Sequence, residues 1–343
     1  MHRLLSPRIL FVRTAVVAAM LAAVLAFCSL IGSQKISLKA ALVGEHASAV
    51  PNPDYEILVH IRIPRVILAA IVGAALAAAG ATLQALLRNP LADPYILGIS
   101  SGAGLGATLA VIAGLNWTLW GRSPIAVFAF AGAVGTVWLV WTIGRITGKF
   151  HVTGLLLAGV VVNAFFSAII MFLISVARSQ QLHTTMFWLM GNLGEEDFFA
   201  LWAGGGCVLV GIVALYVLSP QLNAISFNPT DARSMGIRVE RVQFLAFVVS
   251  AFITAVAVSL SGLIGFVGLV VPHSVRLLFG PDHRQLLPLS ALFGAMFLVV
   301  ADTVARVIVA PAQLPVGVVT AMVGGPFFLL LLVRYNRKVS WLR

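Results

Sequence analysis

Long apolar stretches separated by short polar breaks dominate the chain, without the alternation of polar and apolar positions that is typical of β-strands. A bilayer core about 30 Å thick needs about 20 apolar residues for each helix that crosses it. Only helices and closed barrels satisfy their backbone groups inside lipid. We therefore predict an all-α polytopic membrane protein with ten helical stretches, near residues 14–33, 64–87, 94–114, 124–144, 153–176, 198–218, 242–261, 267–279, 286–306 and 315–334.

The eighth of these stretches is too short to cross the membrane as a regular helix. Gly262, Gly265, Gly268 and Pro272 interrupt the chain around it. This pattern favours a broken helix with re-entrant backbone, which is tolerated at membrane depth only where it is buried in protein or lines a cavity.

The composition and the charges agree with this prediction. Of the 343 residues, 60% are hydrophobic and 10% are charged, against about a quarter charged in soluble domains. If both termini are cytoplasmic, 15 of the 22 Lys and Arg residues lie on the inner side, the orientation that the positive-inside rule selects. The net charge of +11 mostly reflects this topology and a lipid-facing rim, so we expect no nucleic-acid partner.

The source of energy has to lie outside this chain. The longest hydrophilic stretches cover about residues 34–63, 177–197 and 219–241, so residues 1–343 form one transmembrane domain. Cys28 and Cys207 lie inside apolar runs, and we expect neither a metal site nor a disulfide.

Two kinds of transporter stay open on this evidence. Ion-coupled carriers usually hold acids or histidines inside the membrane, whereas the middle parts of these stretches contain almost none, which favours external ATP. A secondary transporter driven by an ion gradient is the alternative, and the broken eighth region is its best support. A membrane enzyme would need a cluster of His, Asp or Cys at the membrane face, and we predict no catalytic residue.

A series of short motifs resembles, in its order, the FecCD/BtuC family of permeases from about residue 14 to 334. The motifs are Arg62–Arg65, Gly80–Gln84, Asn89–Pro94, Leu97–Ala103, Leu155–Val160, Trp188–Gly191, Gly265–His273, Ala301–Arg306 and Leu314–Thr320.

This resemblance implies a BtuC-like permease of an ABC importer in the bacterial cytoplasmic (inner) membrane. It implies a homodimer of ten-helix subunits in contact with membrane lipid. Two ATP-binding-cassette ATPase subunits would carry the ATP and the magnesium, with no cofactor in this chain, and a periplasmic or lipid-anchored solute-binding protein would deliver the cargo. The cargo would be a metal chelate: ferric siderophore first, because that use is the most frequent in the family, then cobalamin or haem.

Three arginines lie toward the outer side, where the topology rule does not favour them: Arg62, Arg65 and Arg306. Arginine binds carboxylates in a bidentate manner. The resemblance implies that these side chains dock glutamates of the binding protein. Anchoring to lipid headgroups and pairing with Asp302 are the alternatives.

Two prolines in six residues must break the helix on the inner side between the second and third stretches. The resemblance implies that Asn89 and Leu91 line a cytoplasmic gate, together with Val152 and Thr153 in the turn before the fifth stretch. An ordinary tight inner loop is the alternative.

Residues 219–241 contain the signals of a short amphipathic helix. Asn228 can cap it, Pro229 suits its first position and Gly236 suits its end. The resemblance implies a coupling segment that sits in a groove of the ATPase, and a solvated loop is the alternative. The residues assigned to this segment are Asn228, Pro229, Asp231, Ala232, Arg233, Met235 and Gly236.

Overall fold

A computed structural model describes residues 6–42, 52–117, 123–145, 152–194 and 198–340. Within these ranges every regular element is a helix. The α-helices are α1 Pro7–Leu30, α2 Leu38–Leu42, α3 Pro53–Glu56, α4 Ile63–Leu86, α5 Ile99–Ile112, α6 Pro124–Arg145, α7 Val152–Ser175, α8 Ser179–Leu189, α9 Phe198–Val217, α10 Ser219–Phe227, α11 Pro229–Ser234, α12 Val239–Ser261, α13 Val267–Phe279, α14 His283–Val307 and α15 Val316–Ser340. A π-helix, Ile57–Arg62, joins α3 to α4, and a 3₁₀ turn, Pro94–Leu97, precedes α5.

The predicted apolar stretches are confirmed as helices. Seven helices among the described residues are long and apolar enough to cross a bilayer, and three shorter apolar helices correspond to α5, α13 and the first part of α15. One detail of the prediction was wrong: the third stretch is not continuous, because Gly98 adopts a left-handed conformation between the 3₁₀ turn and α5.

The centre of the bundle is α4, whose side chains are almost all buried from Val66 to Leu86. Its small residues let neighbouring helices approach backbone to backbone. A β-carbon on Gly73 would overlap the carbonyl oxygen of Gly294 in α14, and one on Gly80 would overlap that of Gly268 in α13. These two contacts bring α13 and α14 against α4, as small residues do in membrane helix packing.

The predicted break between α12 and α13 is confirmed. Gly262 and Phe266 both have positive φ, and the backbone between them is not helical. Its polar groups are satisfied by distant elements, since the Tyr95 hydroxyl accepts the N–H of Ile264 at 2.6 Å and Asn192 donates its N–H to the Ser261 carbonyl at 2.8 Å. Non-helical backbone therefore lies here inside protein, as the membrane requires.

The hydrophilic stretch 177–197 contains a helix that the sequence pattern did not indicate. The side chain of Gln181 accepts the N–H of Arg178 at 3.1 Å and so caps the start of α8. The same side chain donates to the carbonyl of Ile112 at 3.1 Å, which ties α8 to the end of α5.

Candidate functional site

The end of the bundle that the charge distribution predicts to face outward holds a buried charge network around Asp302. The Arg65 Nη2 atom lies 2.9 Å from Asp302 Oδ1. The Arg306 Nε atom lies 3.0 Å from Asp302 Oδ2, an ion pair whose N–H is not aligned for a hydrogen bond. The Asp302 side chain is only 1% exposed, so one carboxylate compensates two guanidinium groups inside the protein. Arg65 and Arg306 are thus both paired with Asp302, which was one of the alternatives to docking.

Two of the outer arginines also close the end of α1. Arg62 donates to the carbonyl oxygens of Leu30 at 2.8 Å and of Gln34, and Arg306 donates to the carbonyl of Ile31 at 3.1 Å. The last carbonyls of a helix lack intrahelical partners, and cationic side chains are favourable there. These two arginines thus fasten α1 to α4 and α14.

This arrangement limits what the three arginines offer to a partner. Arg62 and Arg306 are only 4% and 5% exposed, because their guanidinium groups are engaged inside the chain. Arg65 is partly exposed and also donates to the Gln313 side chain at 2.9 Å. Of the three, only Arg65 keeps a partly exposed side chain, and the docking role of all three stays a prediction.

The turn between α4 and α5, which the charge distribution predicts to lie on the inner side, is held by local hydrogen bonds. The Asn89 side chain accepts the N–H of Leu91 at 2.9 Å, and its carbonyl accepts the N–H of Ala92 at 3.1 Å. Asp93 is buried and accepts the N–H of Tyr95 at 2.8 Å. Asn89 and Leu91 are half-buried, and their role in a gate stays a prediction.

The second part of the predicted gate lies at the edge of the described residues. Val152 is the first residue of α7, and the turn before it falls outside the described ranges, as do the side chains of Val152 and Thr153.

The predicted inner segment contains two consecutive helices, α10 and α11, rather than one. The Asn228 side chain accepts the N–H of Thr230 at 3.0 Å and caps α11, Pro229 holds the first position, and Gly236 follows the helix with φ of 82°. These three signals were predicted correctly. Ala232 is buried against Ile225 and anchors α11.

The solvent-exposed surface of this segment carries large apolar side chains. Phe227 is 88% exposed and Met235 is 74% exposed, and both flank α11. Asp231 and Arg233 are also exposed, and Arg233 pairs with Glu240 at 2.6 Å. The segment therefore presents a mixed apolar and charged face on the inner side.

Sequence reasoning missed how this segment is joined to the bundle. Asn223 of α10 donates to Asp282 Oδ1 at 2.8 Å and accepts the N–H of His283 at 2.8 Å. Asp282 caps α14 through the N–H of Arg284. The only available signal was Asp282 as a capping residue, because the contact with Asn223 joins residues 59 positions apart. Two hydrogen bonds therefore connect α10 directly to the start of α14.

The Asp282 carboxylate is held charged at this junction. Burial raises its pKa, but hydrogen bonds from Arg284 and Asn223 outweigh burial and lower the pKa to about 2. The junction therefore contains an ionised carboxylate across the physiological pH range.

Known proteins resemble this chain over most of its length. A model of the FecCD transport family matches residues 16–334. The chain belongs to the FecCD transport family. The membership predicted from the motif series is confirmed, and this FecCD chain is a multi-pass membrane permease of the ABC-transporter type.

Similar members are known from distant organisms. The cobalamin import system permease protein BtuC of Halobacterium salinarum is 44% identical over 82% of this chain and 75% of its own length. The hemin transport system permease protein HmuU of Yersinia pestis is 40% identical over 83% of this chain and 86% of its own length. A solved structure of a candidate metal-chelate type ABC transporter in an inward-facing conformation matches with a TM-score of 0.78 and 29% identity, covering 96% of this chain and all of that one. The FecCD fold thus extends over nearly all of this chain.

Proposed function

We propose that this FecCD chain is the permease subunit of an ATP-driven importer that moves a metal chelate across a bacterial cytoplasmic membrane. It acts as a homodimer with two ATP-binding-cassette ATPase subunits on the inner side. ATP and magnesium bind those subunits, and a solute-binding protein delivers the cargo from the outer side.

The observation that carries this proposal is the inner segment formed by α10 and α11. It is rigidly capped at Asn228 and anchored by Ala232, yet it leaves the large apolar side chains of Phe227 and Met235 exposed. Exposed apolar groups rimmed by charges are typical of protein interaction sites. An ATPase subunit that covers this surface gains the apolar burial that the chain alone leaves unused.

The link from Asn223 to Asp282 and His283 supports a mechanical role for the same segment. A force applied by the ATPase to α11 reaches α10, because the two helices share the Asn228 junction. From α10 it reaches α14 through hydrogen bonds of 2.8 Å. Closure of the ATPase pair would then move the helices around the half-buried Asn89 and Leu91, which we assign to the gate.

The outer end supports docking in a narrower form than three free arginines. Arg65 keeps a partly exposed guanidinium beside Gln313, and it is the member of the cluster that we assign to a carboxylate of the binding protein. Arg62 and Arg306 position it by holding α1, α4 and Asp302 together. Opposed charge at such a contact sets docking orientation and the association rate more than the affinity.

Ferric siderophore is the first cargo that we propose, followed by cobalamin and haem. Relatives named for cobalamin and for hemin support the class of large metal chelates. The order within that class follows the frequency of each use in the family. Direct binding of candidate chelates to the cognate solute-binding protein tests it, and cobalamin or haem bound in preference to ferric siderophores would reverse the order.

The inner segment can be tested with paired serine substitutions. Phe227→Ser with Met235→Ser removes both exposed apolar side chains, each contributing about 1.5–3 kcal/mol if fully buried in a complex. We expect affinity for the cognate ATPase to fall about ten-fold or more, with ATP-dependent chelate uptake lost in proteoliposomes.

The matched control is Phe11→Ser with Met20→Ser, which are also apolar and exposed, at 74% and 49%, and belong to α1, outside the inner segment. It should keep ATPase affinity and uptake. Equal affinity in both double variants and the unchanged chain would reject the proposed interface.

An ionophore distinguishes the ATP-driven importer from a secondary transporter driven by an ion gradient. We expect uptake to persist when the gradient is collapsed at constant ATP. Uptake by the chain alone, driven by a cation gradient without ATPase, would establish the secondary transporter instead.

A further inference from the structure

A large basic cavity opens at the inner face, bordered by Phe227 at the start of the inner segment. Its volume is about 1050 Å³, and it lies between the inner ends of α1, α4, α10, α13 and α14. Four arginines and one acid are among its lining residues: Arg13, Arg88, Arg276, Arg284 and Asp282. Positive charge therefore exceeds negative charge around this open cavity at the inner helix ends.

Two of these arginines have no polar side-chain partner among the described residues. Arg284 pairs with Asp282 at 2.7 Å, and Arg13 donates to the neutral Gln285 side chain at 2.7 Å. Among the residues that the structure describes, neither Arg88 nor Arg276 has a side-chain hydrogen bond or an ion pair, although Arg276 is partly buried. A guanidinium stays charged at any physiological pH, so such a position favours an external anion.

The same cavity contains buried acceptors without donors. Gln84 donates through Nε2 to the carbonyl of Leu269 at 3.3 Å, but its Oε1 atom lacks a partner. The Nδ1 atom of His283 lies 2.7 Å from Asn223 Oδ1, which assigns the proton to Nδ1 and leaves Nε2 as an acceptor without a partner. Both residues are more than nine-tenths buried and line the cavity. Buried polar atoms are normally hydrogen-bonded, so these two require a donor from a ligand or from water.

The backbone at Arg88 provides independent evidence. Arg88 has φ of 47°, in the left-handed region that favours glycine, directly after the end of α4. The N–H of Asn89 bonds the carbonyl of Gln84 at 3.1 Å, which forms the helix end that usually places glycine at this position. A strained residue whose side chain is exposed toward a cavity points to a function for that side chain.

We propose that this cavity binds a phosphate-bearing anion that also carries hydroxyl groups, and specifically the headgroup of an anionic phospholipid of the inner leaflet. Arg88 and Arg276 bind the phosphate oxygens, with Arg13 nearby, and headgroup hydroxyls donate to Gln84 Oε1 and His283 Nε2. Basic pockets between helices on the cytoplasmic side are suited to such headgroups. Since Asn223 of α10 also lines the cavity, the bound headgroup joins the inner segment to the ends of α4 and α13. The headgroup is a ligand distinct from the cargo, and its phosphate contacts are made by arginines outside the proposed ATPase contact, which shares only Phe227 with the lining of the cavity.

The test uses the full purified chain in bilayer discs and two charge-matched variants. The discs contain phosphatidylcholine with a small fraction of spin-labelled phosphatidylglycerol, and the measurement is the association constant of phosphatidylglycerol relative to phosphatidylcholine. Arg88→Gln with Arg276→Gln removes both unpaired cations, and we expect this ratio to fall at least about five-fold. The control is Arg238→Gln with Arg241→Gln, which removes two exposed inner-face cations that do not line the cavity, and its ratio should stay unchanged.

Three further outcomes bear on the proposed lipid site. If the double variant does not fold, Arg88→Gln alone decides, because its side chain is exposed, and we again expect a loss of about five-fold. Inorganic phosphate that displaces the labelled lipid from the unchanged chain would support the site with free phosphate as a competing source. The same ratio in the unchanged chain, the test variant and the control would overturn the proposal, because the lipid would then sense only the general positive charge of the inner face.

Discussion

At the scale of residues, the ion pairs at the two ends of the bundle differ in burial. Asp302 is buried between Arg65 and Arg306, whereas Glu240 and Arg233 form a pair whose side chains are more than half exposed. Removing one partner of a buried pair leaves an uncompensated charge in the protein, while an exposed pair contributes little. The two pairs therefore allow a direct comparison of the same substitution chemistry.

We predict that Asp302→Asn lowers the free energy of unfolding by about 3–5 kcal/mol. Arginine cannot lose its proton to relieve the imbalance. Glu240→Gln, the matched control, should change it by at most about 1 kcal/mol. Denaturant unfolding of both variants in the same detergent checks this, and equal effects would contradict the buried network.

At Arg88, by contrast, we predict a substitution that stabilises the folded chain. A left-handed conformation costs a residue with a β-carbon about 1–2 kcal/mol, and glycine avoids most of that cost. In phosphatidylcholine discs without anionic lipid, Arg88→Gly should raise the unfolding temperature, whereas Arg88→Ala, which keeps the β-carbon, should not. A lower unfolding temperature for Arg88→Gly than for Arg88→Ala would show that the strain is absent.

At the scale of elements, the crossing of α4 and α13 depends on one missing β-carbon. An alanine at Gly80 would overlap the carbonyl of Gly268, which is backbone and cannot rotate away. We predict that Gly80→Ala costs about 1–3 kcal/mol or displaces α13. Gly206→Ala in α9 is the control, because nothing lies within 4 Å of its added carbon, and it should be neutral or stabilising by up to about 1 kcal/mol. Thermal unfolding of both variants provides the measurement.

The junction of α10 with α14 should respond to pH through Asp282. Its folded pKa of about 2 lies below the ordinary value of 3.8, so its stabilising contribution is complete above about pH 4 and is lost as the pH falls toward 2. We expect Asp282→Asn to unfold more readily than the unchanged chain at pH 6, with the difference shrinking between pH 4 and 2. A difference that is constant over this range would assign the effect to packing rather than to charge.

At the scale of the whole molecule, the distribution of Lys and Arg predicts both termini on the cytoplasmic side. With Cys28 and Cys207 replaced by serine, single cysteines at the exposed positions 178 and 238 report opposite faces. In spheroplasts, an impermeant thiol reagent should label Arg178→Cys. It should leave Arg238→Cys unlabelled until the membrane is permeabilised. The reverse pattern would invert the orientation and with it the assignment of both candidate sites.

The apolar spans, the family and the local helix signals were all predictable from sequence. Span length depends on consecutive residues, so the helices were found, and the cap at Asn228 and the stop at Gly236 are equally local. The break at Gly98 and the short helix α8 were missed, because the first depends on a left-handed residue and the second on Gln181 reaching Ile112.

The sequence by itself determined that this chain crosses a membrane many times and belongs among FecCD permeases, since hydropathy and motif order are properties of neighbouring residues. Only the tertiary structure decided which charges are free. Arg65 and Asp302 are 237 residues apart and Asn223 and Asp282 are 59 apart, so neither partnership is visible along the chain. Within the part of the chain that the structure describes, the same packing leaves Arg88 and Arg276 without an anion, because whether a guanidinium is paired depends on which distant helix ends meet around it.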